Sequence, residues 1–370
     1  MGLRPRVAIA HDYLTQRGGA ERVVLTLLKA FPDAPLYTTL YEPDNTFPEF
    51  RDARIVTSWL NKVPLFRRDH RAALPLLPLA VDSLRIDADI VVASSSGWAH
   101  GFPTTGRTLV YCHSPARFVY LTDEYLGAPA HTSAKGLALL ALRPALARWD
   151  RRHAHRAAAY LANSTVVRNR LREVYGIEAE VLSPPAGVDP EGPQSPVPDL
   201  ADWRAGYHLV VSRLLPYKNV RQVVDAFREL DERLVIVGRG PLRDEIAATL
   251  PPNARLLSGL DDAQLRWVYA HAQALIAPSF EDFGLTPLEA GCYGKPTLAL
   301  RGGGYLDTVT PGQNGSFFET PDAAAIAAAV RVNRGATWDP VTVRACADAF
   351  SEARFVERLR EIVDRLAEQA

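Results

Sequence analysis

The chain of 370 residues has few cysteines, no excess of charge of either sign and no long apolar run. Its three cysteines, Cys112, Cys292 and Cys346, lie far apart without metal-ligand spacing, which argues against a secreted disulfide framework and a zinc site. The 42 basic residues balance 42 acidic ones, whereas a dedicated nucleic-acid binder normally shows a basic excess. These absences predict a cytoplasmic protein with no bound metal and no nucleic-acid partner.

No stretch approaches the roughly 20 apolar residues that a membrane-spanning helix needs. The apolar segment near the N-terminus is also too short for a signal peptide. A composition of 47% hydrophobic and 23% charged residues is typical of a globular protein, and the length suggests two domains.

Short apolar runs alternate with amphipathic segments in both halves of the chain. The first run, Arg6–Asp12, is typical of a buried parallel strand, and a helix is predicted after Gly18-Gly19. This alternation predicts two doubly wound α/β domains with parallel sheets and a ligand cleft between them. A proline-rich segment over 184–198 predicts the linker, so we expect domains over 1–190 and 191–349 and a final helix over 350–370.

The most informative segment runs from Glu281 to Glu289, where a predicted strand leads through Gly284 into a helix that begins with a proline. Free amides at such a helix start can bind an anion such as a diphosphate, and a carboxylate beside them can hold sugar hydroxyls. The alternative is that Glu281 is a surface charge and Glu289 a carboxylate favoured by the helix dipole.

Two cations and two glycine pairs follow other predicted strands. Arg213 and Lys218 flank a turn after the first strand of the second domain, where they can neutralise a diphosphate or remain solvated loop charges. The amides of Gly18-Gly19 could contact a phosphate or a sugar. Neither this pair nor Gly238-Arg239-Gly240 completes the dinucleotide pattern G-x-G-x-x-G, which weakens a nicotinamide-binding interpretation.

Two further groups are candidate ligands. His113 follows a strand of the first domain and could bond a sugar hydroxyl or be a structural turn histidine. Asp87 and Asp89 precede a strand, away from the expected cleft, and we interpret them as turn acids rather than a metal site.

Taken together, these motifs resemble the family-4 glycosyltransferases with the GT-B fold, over nearly the whole chain. The resemblance rests on four segments: Gly18 to Glu21, Ser212 to Asn219, Val237 to Pro241, and the E-x7-E pattern Glu281–Glu289. It implies two facing Rossmann-like domains, a metal-independent retaining enzyme without a cofactor, and a last helix that crosses back to the first domain.

The same resemblance implies roles for individual residues. Arg213 and Lys218 would bind the donor diphosphate, joined by Gly19. Glu281 and His113 would lie against the donor sugar, and Glu289 would hold the nucleotide ribose. The remaining expected donor contacts come from the same motifs and are Gly18, Gly238, Asp282, Phe283, Gly284, Leu285 and Thr286.

A narrower resemblance is to bacterial mannosyltransferases of polysaccharide assembly, which mostly use GDP-mannose. It rests on the segments 74–80, 94–96, 111–118 and 149–152 and on Gly302-Gly303-Gly304. The sequence departs from that pattern after Phe118, in the region expected to face the acceptor or the donor sugar. The predicted reaction is transfer of a hexose, with mannose favoured, to a glycan or glycolipid hydroxyl. The alternatives are a UDP-sugar-dependent transferase acting on a small molecule, a GT-B nucleotide-sugar 2-epimerase and a non-catalytic binder.

A basic segment precedes the apolar run Leu74–Val81. A basic, apolar helix there could lie on the inner face of the plasma membrane, or it could be a solvated face of a core helix. The residues of the predicted membrane contact are Lys62, Arg67, Arg68 and Arg71, with His70 beside them.

Overall fold

The structure, a computed structural model, describes residues 5–127, 129–203 and 206–369. The predicted domain ranges also contain residues 1–4, 128, 204–205 and 370, which lie outside the described residues. The chain forms two compact units, Met1–Pro184 with Glu352–Ala370, and Pro185–Ser351. The first division falls inside the proline-rich segment, six residues before the predicted boundary after residue 190.

The first unit is built on one parallel sheet of seven strands. These are β1 (Val7–His11), β2 (Leu36–Thr38), β3 (Ile55–Thr57), β4 (Ile90–Ser95), β5 (Arg107–Cys112), β6 (Ala159–Ala162) and β7 (Glu180–Val181). Their order in the sheet is β3-β2-β1-β4-β5-β6-β7. The order reverses between β1 and β4, and parallel sheets usually bind ligands at such a switch point, beyond the carboxyl ends of the strands.

Seven helices accompany this sheet: α1 (Gly19–Ala30), α2 (Pro64–Arg68), α3 (Leu77–Asp82), α4 (Arg117–Tyr120), α5 (Thr122–Leu126), α6 (Ala134–Ala154) and α7 (Thr165–Tyr175). Side-chain caps explain where two of them begin, because Ser133 accepts a bond from Gly136 N at the start of α6 and Ser164 accepts one from Val167 N at the start of α7. Gly176, with a φ of 68°, ends α7 in the left-handed conformation that favours glycine.

The predicted basic, apolar helix is not a single helix. It is divided into α2, a 3-10 turn over His70–Leu76, and α3. Pro75 and Pro78 lack the N–H groups that a continuous helix would need, which accounts for the break. The expectation of one basic, apolar helix in this region was therefore wrong.

Three of the basic side chains in this region have contacts within the first unit. Arg67 pairs with Glu42 at 3.3 Å, the His70 ring stacks on Tyr13 with centroids 4.0 Å apart, and the Arg71 guanidinium lies 5.6 Å from the centroid of the Tyr125 ring. Lys62, Arg68 and Arg71 are exposed. Membrane contact by this region stays a prediction.

The second unit has a parallel sheet of six strands: β8 (Tyr207–Val211), β9 (Arg233–Val237), β10 (Ala254–Leu257), β11 (Ala272–Ala277), β12 (Thr297–Leu300) and β13 (Gly315–Phe318). Their order, β10-β9-β8-β11-β12-β13, repeats the arrangement around β1 and β4. The helices are α8 (Val220–Ala226), α9 (Arg243–Ala248), α10 (Asp262–His271), α11 (Thr286–Cys292), α12 (Tyr305–Thr308), α13 (Ala323–Arg334) and α14 (Pro340–Asp348). The prediction of two doubly wound parallel-sheet domains is confirmed.

The last helix, α15 (Glu352–Glu368), packs on the sheet of the first unit. It buries one apolar stripe at helical spacing, made of Phe355, Leu359, Ile362, Val363 and Leu366. This stripe shares a core with Ile9, Leu27 and Ile90. Among the described helices, none is long and apolar enough to cross a membrane.

Candidate functional site

The two central strands of the second sheet bring Lys218 and Glu281 together. Lys218 lies in a 3-10 turn, Pro216–Lys218, after β8, and Glu281 follows β11, which pairs with β8. Asn219 adopts a φ of 53°, and its side-chain amide donates to the carbonyl of Pro278 at 2.9 Å. This bond ties the turn after β8 to the end of β11.

Lys218 and Glu281 form an ion pair that is largely removed from solvent, with Lys218 8% exposed. Ser279 donates from Oγ to the same carboxylate oxygen at 2.5 Å, and its Oγ lies 3.4 Å from the Tyr305 hydroxyl. Burial and the nearby Glu281 carboxylate raise the pKa of Tyr305 well above its usual range, so this hydroxyl keeps its proton. A buried ammonium beside one carboxylate retains donors for a second anion.

Arg213 is exposed, and it contacts Tyr217, as Lys218 does. Its guanidinium donates to the Tyr217 hydroxyl at 3.2 Å, and the Lys218 ammonium lies 5.0 Å from the centroid of the same ring. The two predicted cations are therefore linked through Tyr217, which the sequence analysis did not single out.

The loop that carries Glu281 is fixed by close backbone contacts. Gly284 has a φ of 85°, and a Cβ there would lie 2.3 Å from the ring of Tyr305. Gly303 has a φ of 63°, and a Cβ there would lie 2.3 Å from the carbonyl oxygen of Glu281. The amide of Gly304 donates to the same carbonyl at 2.9 Å. These glycines allow the two loops to pack backbone against backbone.

The second carboxylate of the E-x7-E pattern has its own partner. Glu289 lies in the first turn of α11 and accepts a bond from the Tyr269 hydroxyl at 2.6 Å. Burial and the Glu289 carboxylate raise the pKa of Tyr269 well above its usual range. Tyr269 also stacks on Tyr293, with centroids 5.8 Å apart. The hydrogen bond from Tyr269 therefore orients the Glu289 carboxylate, which is not a solvated surface charge.

The other predicted donor contacts lie in the same loop or beside β9. Asp282 and Phe283 are buried, and Leu285 and Thr286 open α11, where no side chain caps the first turn. Gly238 has a structural explanation: a Cβ would lie 2.1 Å from the Ser212 carbonyl oxygen, and its amide already donates to Leu257.

In the first unit, His113 follows β5 and is connected to the central strands. Its Nε2 lies 2.8 Å from Ser94 Oγ, which in turn lies 3.1 Å from His11 Nδ1. His11 and Ser94 are register partners in β1 and β4, which explains their contact. His11 Nε2 lies 3.9 Å from a Glu21 carboxylate oxygen, and both side chains are almost fully buried.

Gly18 and Gly19 are at the start of α1, where Gly18 is the N-cap residue and gives no side-chain cap. A Cβ on Gly18 would lie 2.6 Å from Glu21 Oε2, so this carboxylate passes directly beside the glycine. The sequence analysis assigned a role to the two glycines and none to Glu21, although Glu21 belongs to the same segment and is buried.

The segment after Phe118 makes contacts within the first unit. Phe118 and Val119 are buried, and the Tyr120 hydroxyl donates to Asp150 at 2.7 Å on α6. The expectation that this region faces the acceptor or the donor sugar stays a prediction.

The acidic pair before β4 lies beside a basic side chain. Asp87 and Asp89 both pair with Arg6, at 3.5 and 2.9 Å. Within the described ranges there is no group of three or more histidine, cysteine or acidic side chains that could hold a metal ion.

Two family models match the chain. The model described as Glycosyltransferase Family 4 matches residues 17–191, and the model described as Glycosyl transferases group 1 matches residues 204–332. The first match contains Gly18, Gly19 and His113, and the second contains Arg213, Lys218 and Glu281.

Three similar proteins illustrate the relationship. A glycogen synthase of Pseudomonas aeruginosa is 34% identical over 123 residues, which are 31% of this chain and 24% of that protein. The alpha-1,3/1,6-mannosyltransferase ALG2 of Dictyostelium discoideum is 44% identical over 57 residues, 15% of this chain and 14% of that protein. The solved structure of Anabaena HepE in complex with UDP and glucose has a TM-score of 0.69 at 16% identity, and the alignment covers 97% of this chain and 100% of HepE.

The matched regions span about a quarter or less of these two curated relatives, whereas the similarity to HepE extends over the whole fold. The two family models together account for most of the chain, in the order and on the two parallel sheets that the GT-B fold requires. Residues 17–191 therefore form a Glycosyltransferase Family 4 domain and residues 204–332 a Glycosyl transferases group 1 domain, on the two parallel sheets of a GT-B fold.

Proposed function

We propose that this protein is a retaining, metal-independent hexosyltransferase that moves mannose from GDP-mannose to a hydroxyl group of a glycan or glycolipid in the cytoplasm. One observation carries the proposal: a largely buried lysine, Lys218, held against Glu281 beyond the carboxyl ends of β8 and β11. A buried cation in that place suits a ligand with concentrated negative charge and an adjoining sugar.

In the proposed reaction the bond between the sugar C1 and the β-phosphate oxygen breaks, and the diphosphate keeps the electron pair. Lys218 and Arg213 would stabilise the charge that develops on the leaving oxygens. Removal of one such contact typically costs about 10²–10³ in rate. Glu281 would hold hydroxyls of the transferred sugar, and Glu289 those of the ribose.

Retention of configuration follows from a front-face path. The acceptor oxygen forms the new bond to C1 on the face that the diphosphate leaves, and its proton passes to a departing phosphate oxygen. No covalent sugar–enzyme bond is formed on this path. We expect nuclear magnetic resonance of the first product to show the donor's anomeric configuration. An inverted product, or a trapped covalent glycosyl-enzyme, would overturn the path.

The identity with a mannosyltransferase over 57 residues supports mannose as the transferred sugar. A specific observation favours a second candidate, a UDP-sugar-dependent transferase acting on a small molecule, because HepE shares the fold and was solved with UDP and glucose.

The test supplies GDP-mannose and UDP-glucose separately and measures release of the nucleoside diphosphate, with and without a chelator. GDP release that is unaffected by chelation supports the proposal, and UDP release alone supports the second candidate. Conversion of the nucleotide sugar to its 2-epimer would indicate an isomerase. Failure to turn over either donor, when both bind, would indicate a non-catalytic binder.

A further inference from the structure

One segment of the first unit is strongly basic, although the chain as a whole has no net charge. Between Glu124 and Glu173 the sequence contains nine lysines and arginines, five in α6 and four after it, and a single acid, Asp150. Asp150 is 1% exposed and accepts from the Tyr120 and Tyr175 hydroxyls inside the first unit. The surface formed by this segment therefore has positive charge and no carboxylate of its own.

Helix α6 presents much of this charge on the side that faces solvent. Its buried side chains, which include Leu139 and Leu146, recur at the spacing of one helix face. The opposite face is exposed along the whole helix. Over its first three turns this face is apolar, with Leu137 the largest side chain at 55% exposure, and its last turns carry Arg148 and Arg152.

The cations of α6 have no acidic neighbour on this face. Among the residues that the structure describes, Arg143, Arg148 and Arg152 have no carboxylate oxygen within 4.0 Å. The acid that does approach the helix is Asp82 of α3, which lies 3.6 Å from the buried His153 ring and so contacts the opposite face. The exposed arginines can therefore bind an anionic partner without breaking an ion pair.

The combination of an exposed apolar stretch and these arginines suits a bilayer that contains anionic lipids. The apolar stretch is short and mostly alanine, so it would bind a membrane weakly without the cations. A symmetric contact with a second copy is disfavoured, because it would bring the same arginines together without acids to compensate. A nucleic-acid backbone would leave the apolar turns without a partner.

The basic segment predicted from the sequence is less suited to the same contact. Its Arg67 pairs with Glu42 at 3.3 Å, the Arg71 guanidinium lies against the Tyr125 ring, and Asp69 adds an exposed acid. Fewer of its cations are therefore available to lipid head groups than in α6.

We propose that the exposed face of α6 docks on an anionic bilayer, with Leu137 entering the head-group region and Arg148 and Arg152 pairing with lipid phosphates. This contact lies entirely within the first unit. It does not depend on the proposed transfer reaction, although it would bring the protein to its acceptor if that acceptor is a glycolipid.

The direct test is co-sedimentation of the purified protein with vesicles of phosphatidylcholine alone, or of equal parts phosphatidylcholine and phosphatidylglycerol. We expect binding to the anionic vesicles only, and weaker binding at high salt because the charges are then screened. Arg148→Ser with Arg152→Ser should lower the partition coefficient about twentyfold, since each basic residue near an anionic surface contributes roughly fivefold. Leu137→Glu should lower it by a similar factor, because its carboxylate is repelled by the lipid surface.

Lys62→Ser with Arg68→Ser is the matched control, because it removes the same charge from exposed positions of the other basic segment. It should bind within about threefold of wild type, since charges more than a Debye length from the bilayer are screened. A greater loss in this control than in the α6 variants would overturn the proposal. Wild-type binding by the α6 variants, with circular dichroism showing them folded, would do the same.

Three other results separate this inference from its alternatives. A wild-type protein that binds neither kind of vesicle overturns it. A wild-type dimer that becomes a monomer in Leu137→Glu also overturns it, because a second copy would then cover α6. Binding to anionic vesicles without turnover of any donor would keep this inference and reject the proposed function.

Discussion

Two buried basic side chains of the second unit have opposite surroundings. Lys218 has a carboxylate beside it, whereas both ring nitrogens of His208, in β8, lack a hydrogen-bond partner among the described residues. The His208 ring instead lies edge-on to Phe227, with centroids 5.7 Å apart. Burial lowers the pKa of His208 to about 4. The surroundings of Lys218 stabilise a positive charge, whereas those of His208 favour the neutral ring.

This contrast predicts an acid-sensitive second unit. In the unfolded chain His208 binds a proton near the ordinary histidine pKa of 6.5, whereas in the folded chain its pKa is about 4. The free energy of unfolding is therefore highest above pH 6.5 and falls as the pH drops toward 4. The loss should be roughly 2–3 kcal/mol. Urea unfolding at several pH values should show it, and His208→Leu should remove it. His131→Leu, at an exposed histidine, should leave the same slope as wild type. An unchanged slope in His208→Leu would contradict the assignment.

The hydrogen bond from the Tyr269 hydroxyl to Glu289 leads to a prediction about donor binding. Tyr269→Phe removes the bond that orients Glu289, so the KM for the nucleotide sugar should rise about three- to tenfold with little change in kcat. Tyr293→Phe is matched, because the Tyr293 hydroxyl is buried and has no hydrogen-bond partner in the described structure. Equal kinetics for the two variants would argue against a binding role for Glu289.

Residue types and spacing were sufficient to single out Lys218, Glu281 and Glu289 as candidate ligands, and the structure pairs the first two. They could not single out Ser279 or Tyr305, because a serine or tyrosine in an apolar context has many structural uses. Tyr305 in particular reaches Ser279 through the packing of Gly284 and Gly303. Ser94 and Glu21 lie in segments that carried the family resemblance, but the sequence analysis assigned them no role of their own, since their contacts depend on strand register and burial.

Among the elements, the conformation of the loop between β11 and α11 depends on Gly284. Gly284→Ala combines a positive φ with a Cβ 2.3 Å from the Tyr305 ring, so we expect a loss of roughly 2–4 kcal/mol and reduced turnover. Gly312→Ala is the comparison, because Gly312 has a φ of 79° with open space around it, and should cost about 1 kcal/mol. Thermal unfolding measures both, and equal losses would show that the contact with Tyr305 is unimportant.

The helix α15 predicts a stability effect confined to the first unit. Leu359 is fully buried, and Leu359→Ala should lower the free energy of unfolding of that unit by about 2–5 kcal/mol. Asp364→Ala, on the exposed side of the same helix, should stay within about 0.5 kcal/mol of wild type. Calorimetry should show only one of two transitions moving in Leu359→Ala. A shift of the second unit alone would contradict the packing described for this helix.

Elements with a strong apolar pattern were predictable, and those defined by local breaks were not. The short apolar runs Ile55–Thr57, Ala159–Ala162 and Arg233–Val237 predict strands, and the structure has strands with these bounds. No strand is predicted at β13, because its Gly-Ser-Phe-Phe sequence is short and lacks alternation. Apolar spacing predicts a helix over Val220–Leu230, whereas the observed helix ends at Ala226 and continues as a 3-10 turn, a distinction that periodicity does not make.

For the whole molecule, the common strand order of the two sheets explains where the chemistry lies. In each sheet the reversal falls between the first and the fourth strand, at β1/β4 and at β8/β11. His11 and Ser94 mark the first position, and Lys218 and Glu281 the second. The fold class was predictable because alternating strands and helices allow few topologies. The donor sugar was not predictable, because the sequence departs from the mannosyltransferase pattern after Phe118.

The central claim is that Lys218, held by Glu281, binds the diphosphate of a nucleotide sugar. The most direct measurement is the rate of GDP release from GDP-mannose by Lys218→Met, compared with wild type and with Lys29→Met, whose lysine forms an exposed pair with Glu352. We predict a loss of about 10²–10³ in kcat/KM for Lys218→Met and a near wild-type value for Lys29→Met. A folded Lys218→Met protein that releases GDP at the wild-type rate would contradict the claim.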